Sequence, residues 1–372
     1  MMVPSRIAAA ALCIFAVGQA APLAPNSSVQ PIVFQGKEMH NLLAFGDSYT
    51  YVQGTQGHWN YSFISDAFNY SFTPDQLLSS QIVKNTTSSG GPNWVEYLTG
   101  CYEGLPAECP GTKLWAFAFA GADISAEYLP LHHNYTVDLD DQVKQWDLYA
   151  REVLDLEAAD SLVAFWIGIN DINDSDKFTN VSFPAWYETL VGKWFESVEL
   201  VYSRGYRNFL FVSRLMLQGS CSDVAKMLPP PLEKTASNLV SANPLPNATM
   251  VGQWNAAVRS QVSAFKAGHN DSRTFVFDTY AFLNDVLADP AQYNIYNTTS
   301  YCQSYAQPDI LWNYAAYGCQ PISQYFWFSK SLTRSAAESG GRRLIKFDFI
   351  DSGHITYTVH QLIASEVLKQ LA

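Results

Sequence analysis

The chain has 372 residues, 48% of them hydrophobic and 14% aromatic, enough for a sizeable core in one large domain or two smaller ones. That composition excludes a disordered chain. A net charge of −12 and a pI near 4.9 argue against a nucleic-acid backbone as partner and favour solubility in mildly acidic surroundings.

In chain order, Arg6 precedes the apolar run Ile7 to Val17, and Gly18-Gln19-Ala20 supplies small residues for cleavage, so residues 1–20 read as a signal peptide. No later stretch reaches ~18 apolar residues, so no membrane span is expected. Ten Asn-x-Ser/Thr sequons, at Asn26, Asn60, Asn69, Asn85, Asn134, Asn173, Asn180, Asn247, Asn270 and Asn297, imply a glycosylated, secreted, extracellular protein. Leu42 to Phe45 is a short apolar run ending in Gly46-Asp47-Ser48, which reads as a buried strand with a hydroxyl at its carboxyl end. Residues 51–91 are polar and aromatic and read as a loop region over the crevice. Pro92 to Leu98 reads as a short helix. Leu114 to Phe119 is a strand ending at Gly121, and Leu139 to Glu157 has helical periodicity. Ser161 to Ile167 is the next strand, ending at Gly168. Pro184 to Ser203 is a helix with proline in its first turn, and Asn208 to Ser213 a strand. Residues 214–247 are irregular. Thr249 to Ala267 is a helix and Arg273 to Phe277 a strand. Residues 289–341 hold no convincing long element, and Thr356 to Leu371 is a terminal amphipathic helix. Strands alternating with helices predict an α/β fold with a mostly parallel sheet covered on both faces, in a single domain over residues 21–372.

Cys13 leaves with the signal peptide. The near pairs Cys101–Cys109 and Cys302–Cys319 would each close a short loop in an oxidising compartment, leaving Cys221 as the odd thiol. No C-x-x-C or H-E-x-x-H occurs, and His132-His133 beside the Asn134 sequon reads as surface rather than as a metal site.

Three further blocks give Ser48 a chemical context. Gly121 places a backbone N–H at a strand end, Gly168-Ile-Asn170-Asp171 places an amide side chain at another, and Asp351-Ser-Gly-His354 precedes the last helix. A serine hydroxyl becomes a useful nucleophile when a base such as His354 takes its proton. Asp351, three residues earlier, would fix the imidazole tautomer. The N–H groups of Ser48 and Gly121 and the amide of Asn170 would form an oxyanion hole, and one such donor is typically worth about 3–4 kcal/mol in the transition state. Each block has a bland reading. Asp47-Ser48 fits an Asx-turn, Gly121 a plain turn, and Asn170 or Asp171 a helix cap. His360 and Asp348 compete for the roles of His354 and Asp351. Four blocks in this order, three of them at strand ends, outweigh the separate alternatives.

Gly46-Asp-Ser48, Gly121, Gly168-x-Asn170 and Asp351-x-x-His354 resemble the four blocks of the SGNH (GDSL-type) hydrolases, in the family's order and across nearly the whole mature chain. Tyr49 stands where leucine is commoner, at a position that usually packs. No Gly-x-Ser-x-Gly elbow is present, against an α/β-hydrolase fold. The resemblance implies a three-layer α/β/α sandwich with a flavodoxin-like sheet, and ester hydrolysis with no cofactor and no metal. Gly91-Pro-Asn-Trp94-Val-Glu-Tyr97-Leu and His354-x-Thr356…His360 are most similar to secreted fungal family-16 carbohydrate esterases, which remove acetyl groups from plant-wall oligosaccharides. This implies an acyl-enzyme on Ser48, with an acetylated oligosaccharide or other small ester as substrate, in a protein expected to be a monomer. Trp59, Tyr61, Trp94, Trp312 and Tyr314 are candidates for stacking on sugar rings, with loop packing as the alternative for each, and Asp171 is a further candidate contact. A lipase or phospholipase acting on longer acyl chains is the alternative, and a non-catalytic glycan-binding protein a third reading.

One segment departs from the resemblance. In such relatives an aromatic run like Tyr325-Phe-Trp-Phe328 leads almost directly into the Asp-x-x-His turn, whereas here residues 329–350 intervene. Ser329-Lys-Ser331 can be written AGT AAG TCN, which contains the common fungal splice donor GTAAGT, so the segment reads as a translated intron. The alternative is a genuine insertion with Leu344 to Ile350 as a strand.

Overall fold

The computed structural model describes residues 29–64, 71–213, 246–302, 304, 307, 309–339 and 342–372; the side chains of 311 and of 329–352 lie outside that description, as do Asn26, Asn69 and Cys221 altogether. A small antiparallel pair, β1 (Ile32–Phe34) and β2 (Lys37–Met39), leads into β3 (Asn41–Gly46). The other central strands are β4 (Lys113–Ala116), β5 (Ser161–Trp166), β6 (Asn208–Val212) and β7 (Arg273–Phe277). All pair in parallel, in the order β4-β3-β5-β6-β7. Every residue of β3, β5 and β6 is buried, as expected of strands covered on both faces.

The described helices are α1 (Pro74–Ser79), α2 (Trp94–Thr99), α3 (Leu139–Gln145), α4 (Arg151–Leu154), α5 (Ile169–Ser175), α6 (Phe183–Ser203), α7 (Ala248–Gly268), α8 (Thr279–Ala288), α9 (Ile310–Asn313) and α10 (Tyr357–Leu371). α3 contacts α6 and α6 contacts α7, while α2 pairs with α10. The aromatic core runs across the sheet from Phe117 through Phe45 and Phe165 to Phe211, with successive ring centroids 5.6, 5.3 and 5.9 Å apart. The expected α/β class holds. Disulfides join Cys101 to Cys109 and Cys302 to Cys319.

Four local expectations need correction. The described residues of 51–91 contain no central strand, but Val52, Phe63, Phe72, Leu77 and Ile82 are buried in the main core, so this part of the segment is packed rather than draped over a crevice. The strand after residue 113 stops at Ala116. Beyond it the chain still donates from Phe117 to Ala44 and from Phe119 to Gly46, outside any regular strand. The helix over 139–157 is interrupted by a π-helical turn at Trp146–Ala150 and ends at Leu154, where Asp155 turns left-handed. Residues 289–341 do contain a long element: β8 (Trp327–Ser339) pairs antiparallel with β9 (Arg342–Ile355) as a ribbon separate from the central sheet.

Candidate active site

The carboxyl ends of β3 and β5 and the turn after β4 meet at one edge of the sheet. β3 must turn sharply after Phe45, and Gly46 permits it. A Cβ there would lie 2.1 Å from the Trp166 carbonyl oxygen, and its φ of 151° is one that other residues seldom adopt. The Asp47 carbonyl then accepts from the N–H groups of Thr50 and Tyr51, and the Asp47 carboxylate from Tyr49 N–H at 2.9 Å, closing a tight turn around Ser48. Gly168 does the same for β5. Its φ is 118°, and the indole of Trp254 presses where a side chain would start, 2.2 Å from the position of a Cβ.

His354 arrives from the far end of the chain. The Tyr325 and Phe326 carbonyls hold Thr356 just beyond it, through its hydroxyl at 2.7 Å and its N–H at 3.0 Å. Nε2 of His354 lies 2.7 Å from Oγ of Ser48, and both side chains are buried. Burial draws the imidazole down to about 4, so the ring beside the hydroxyl is neutral at neutral pH. The backbone of Asp351 lies in β9, but its carboxylate is among the side chains outside the description, and so is that of its competitor Asp348. His360, the competitor of His354, is buried in α10, where it packs against Tyr49 and Trp166 at 5.8 and 6.3 Å between centroids.

The anion-binding side of the site is built by adjacent residues of α5. Asn170 donates through Nδ2 to the Ala122 carbonyl at 2.8 Å, and Asp171 accepts from the Ile124 N–H at 2.9 Å. Together they clamp the 121–124 turn onto the start of the helix. Gly121 has a φ of 88°. No described residue accepts from its N–H or from that of Ser48. The structure therefore pairs Ser48 with His354 and ties Asn170 to the turn that follows Gly121.

Several expected roles change. Asp171 is fully buried, with one carboxylate oxygen accepting from the Ile124 N–H, so it presents no exposed face. Trp94 is fully buried too, its indole N–H donating to the Thr50 hydroxyl at 3.2 Å, so it presents no face to a sugar. Trp59 and Trp312 are exposed, while Tyr61 and Tyr314 are half-buried. His132 is not a surface residue. Its side chain is 15% exposed and its Nε2 lies 2.6 Å from Asp174 Oδ2. Among the sequons, Asn60, Asn85, Asn134, Asn180 and Asn270 are exposed and Asn173 is half-buried. Asn247 caps α7, and the Asn297 side chain accepts from Thr299 and Ser300.

Three groups take roles that the sequence did not assign to them. Gln142 reaches from α3 to the turn glycine. Tyr49 stacks on His354 at 5.5 Å between centroids and donates to the Gly353 carbonyl at 2.5 Å. Asp123 sits fully buried behind Gly121. Burial and the carboxylates of Asp171, Asp174, Asp138 and Asp47 hold its carboxyl well above the ordinary range.

Residues 42–367 match the family described as GDSL-like lipase/acylhydrolase. The chain belongs to that family. It is thereby a carboxylic ester hydrolase of the SGNH type. Among relatives, an acetylesterase from Thermothelomyces thermophilus is 24% identical over 301 residues, covering 78% of this chain and 85% of that protein. Among solved structures, an extracellular lipase from Streptomyces rimosus aligns at 15% identity over 64% of this chain and 80% of that one, with a TM-score of 0.28.

Proposed function

We propose that this protein is a secreted serine esterase that removes acetyl or other short acyl groups, with acetylated plant-wall oligosaccharides as its substrate class. The observation that carries the reading is the 2.7 Å contact between Ser48 Oγ and His354 Nε2 beside two N–H groups that no described residue uses. Ser48 Oγ attacks the ester carbonyl carbon while its proton passes to Nε2. The carbonyl oxygen becomes an oxyanion facing Ser48 N–H, Gly121 N–H and the Asn170 amide. His354 then gives its proton to the departing sugar oxygen, leaving an acyl-enzyme on Ser48. Water repeats the sequence, its proton going to His354, and frees the acid and the serine. Asp351 supplies the carboxylate for the other ring nitrogen in this scheme.

The acetyl preference is supported by the acetylesterase relative. Secretion is supported by the two disulfides, which persist in oxidising compartments, by the apolar leader at residues 1–20 and by the exposed sequons. Turnover of p-nitrophenyl acetate and palmitate, with Ser48→Ala as control, tests the reading. We expect acetate to be preferred and the variant to lose at least about 10³-fold. Preference for palmitate would move the protein to the lipases, and equal activity in the variant would remove Ser48 from the chemistry. Profiling on acetylated xylo-oligosaccharides and mannan then identifies the sugar.

A further inference from the structure

Behind the oxyanion turn lies a set of donors that the esterase chemistry does not use. Asp123 and His132 stand on either side of the loop that follows Gly121, and Asp174 projects from α5 one turn after Asn170. One donor atom from each lies within 4.8 Å of the others. His132 Nε2 is 2.6 Å from Asp174 Oδ2 and 3.9 Å from Asp123 Oδ2. The Asp123 side chain is 1% exposed, and neither carboxylate oxygen has a hydrogen-bond partner. A buried carboxylate without donors is costly, and here Asp171 and Asp138 crowd it with one further unpartnered oxygen each. Among the described residues, the group able to carry positive charge within ion-pair reach of Asp123 is His132, already shared with Asp174.

We propose that Asp123, His132 and Asp174 form a divalent-cation site that ties the Gly121 turn to α5. One imidazole and two carboxylates suit Zn²⁺ first and Mn²⁺ second, since imidazole favours the former and carboxylates the latter. Tetrahedral ligands at about 2.0–2.2 Å from zinc stand roughly 3.4 Å from one another. That value lies between the two separations seen, so modest side-chain rotations complete the set. The hydrogen bond between His132 Nε2 and Asp174 Oδ2 gives way as the cation enters and takes both atoms as ligands.

The site is structural rather than catalytic. Its His132 ring packs on the backbone of Gly121, where a Cβ would be 3.3 Å from Nδ1. Its consequence for the reaction is indirect. The two oxyanion donors after Ser48 belong to the two segments that the cation would join. Fixing their separation is what a preorganised anion hole requires.

The test uses the full-length secreted protein, stripped with a chelator and titrated with Zn²⁺ alone and with Mn²⁺ alone, following heat of binding, bound metal per chain and melting temperature. We expect one Zn²⁺ per chain and a higher melting temperature. Loss of a supporting partner alone usually weakens a metal site about 10–100-fold, so Asp174→Asn and His132→Gln should weaken binding by at least that much. Ser48→Ala should bind the metal as the wild type does, which separates this site from the esterase assignment. Asp174 is partly exposed, so its variant carries the comparison should Asp123→Asn fail to fold. No binding of either metal overturns the proposal. So does binding that Asp174→Asn and His132→Gln leave unchanged.

Discussion

The side-chain amide of Gln142 pairs with the backbone of Gly46 as a neighbouring strand would. Gly46 N–H donates to its Oε1 at 3.0 Å, and its Nε2 donates to the Gly46 carbonyl at 2.9 Å and to that of Val137, also at 2.9 Å. β4 has ended by this level, and although Phe119 N–H still reaches the Gly46 carbonyl at 3.0 Å, the Gly46 N–H would lack a strand partner on that side. A buried glutamine supplies one and locks the turn that presents Ser48.

Gln142→Glu replaces a donor with an acceptor facing two carbonyl oxygens. Misplacing the hydroxyl by about 1 Å can cost about 100-fold in rate. We expect kcat on p-nitrophenyl acetate to fall 10-fold or more, by an order-of-magnitude estimate on that basis, with KM little changed. Gln142→Leu should also lower stability by about 1–3 kcal/mol, because it leaves Gly46 N–H unsatisfied. A folded variant with wild-type kcat would show that the pairing is only structural.

Tyr49 ties the nucleophile turn to the histidine turn. Its ring rests on His354, its hydroxyl holds the Gly353 carbonyl, and Trp166 and His360 back it at 5.1 and 5.8 Å between centroids. Leucine at this position packs but holds no carbonyl. Tyr49→Phe keeps the stacking and loses the tether. It should lower kcat several-fold while costing only about 0.5–1.5 kcal/mol of stability, the usual net worth of a hydrogen bond. Tyr49→Leu should lower kcat further, because it also removes the face against which the imidazole lies.

Much of this site was legible in the chain because strand ends announce themselves. Apolar runs closing on Gly46 and Gly168 mark where β3 and β5 must bend, and Ser48 and Asn170 follow each glycine within two residues. Gln142 was not legible, since a glutamine within an amphipathic helix ordinarily faces water. The His132 site was hidden for another reason. His132, Asp123 and Asp174 are brought together by the fold of a loop, and no fixed spacing relates them. Trp94 misled because a tryptophan beside a loop has the same sequence signature whether it stacks on a ligand or fills the core. The ribbon arm Trp327–Ser339 was missed because its Ser, Thr, Lys and Arg positions show no sustained alternation. A strand paired only with its own hairpin partner does not need one.

The acid limb of the pH–rate profile reports on the histidine. His354 must be neutral to take the serine proton, so activity rises as pH rises through its pKa and is lost as pH falls below it. Burial alone draws the ring down to about 4. A carboxylate on the other nitrogen favours the charged ring and pulls the value back up. If Asp351 fills that place, the wild-type limb of kcat/KM lies above about 4, and Asp351→Asn moves it to lower pH besides lowering the plateau. An unmoved limb in the variant would mean that Asp351 does not face His354.

The β8–β9 ribbon begins and ends at the active site. Trp327 pairs with Ile355, Ser329 with His354, Lys330 with Gly353 and Ser331 with Ile350, with register shifts at the first steps. Its two stems are adjacent antiparallel neighbours, about 5 Å apart. Excising residues 329–350 joins Phe328 directly to Asp351, and because the two stems are neighbours only residues 351–353 need draw back towards Phe328 to close the gap. A segment spliced from the message would show this relationship, and so would an insertion grown at a hairpin tip. The protein lacking 329–350 should fold, keep both disulfides and hydrolyse p-nitrophenyl acetate at least as fast as the 372-residue chain, because the His354 turn then closes on the aromatic run without an arm between them. Sequencing of the mature transcript should show those codons removed. A message that retains them, together with a deletion variant that fails to fold, would establish the ribbon as a working part of the enzyme.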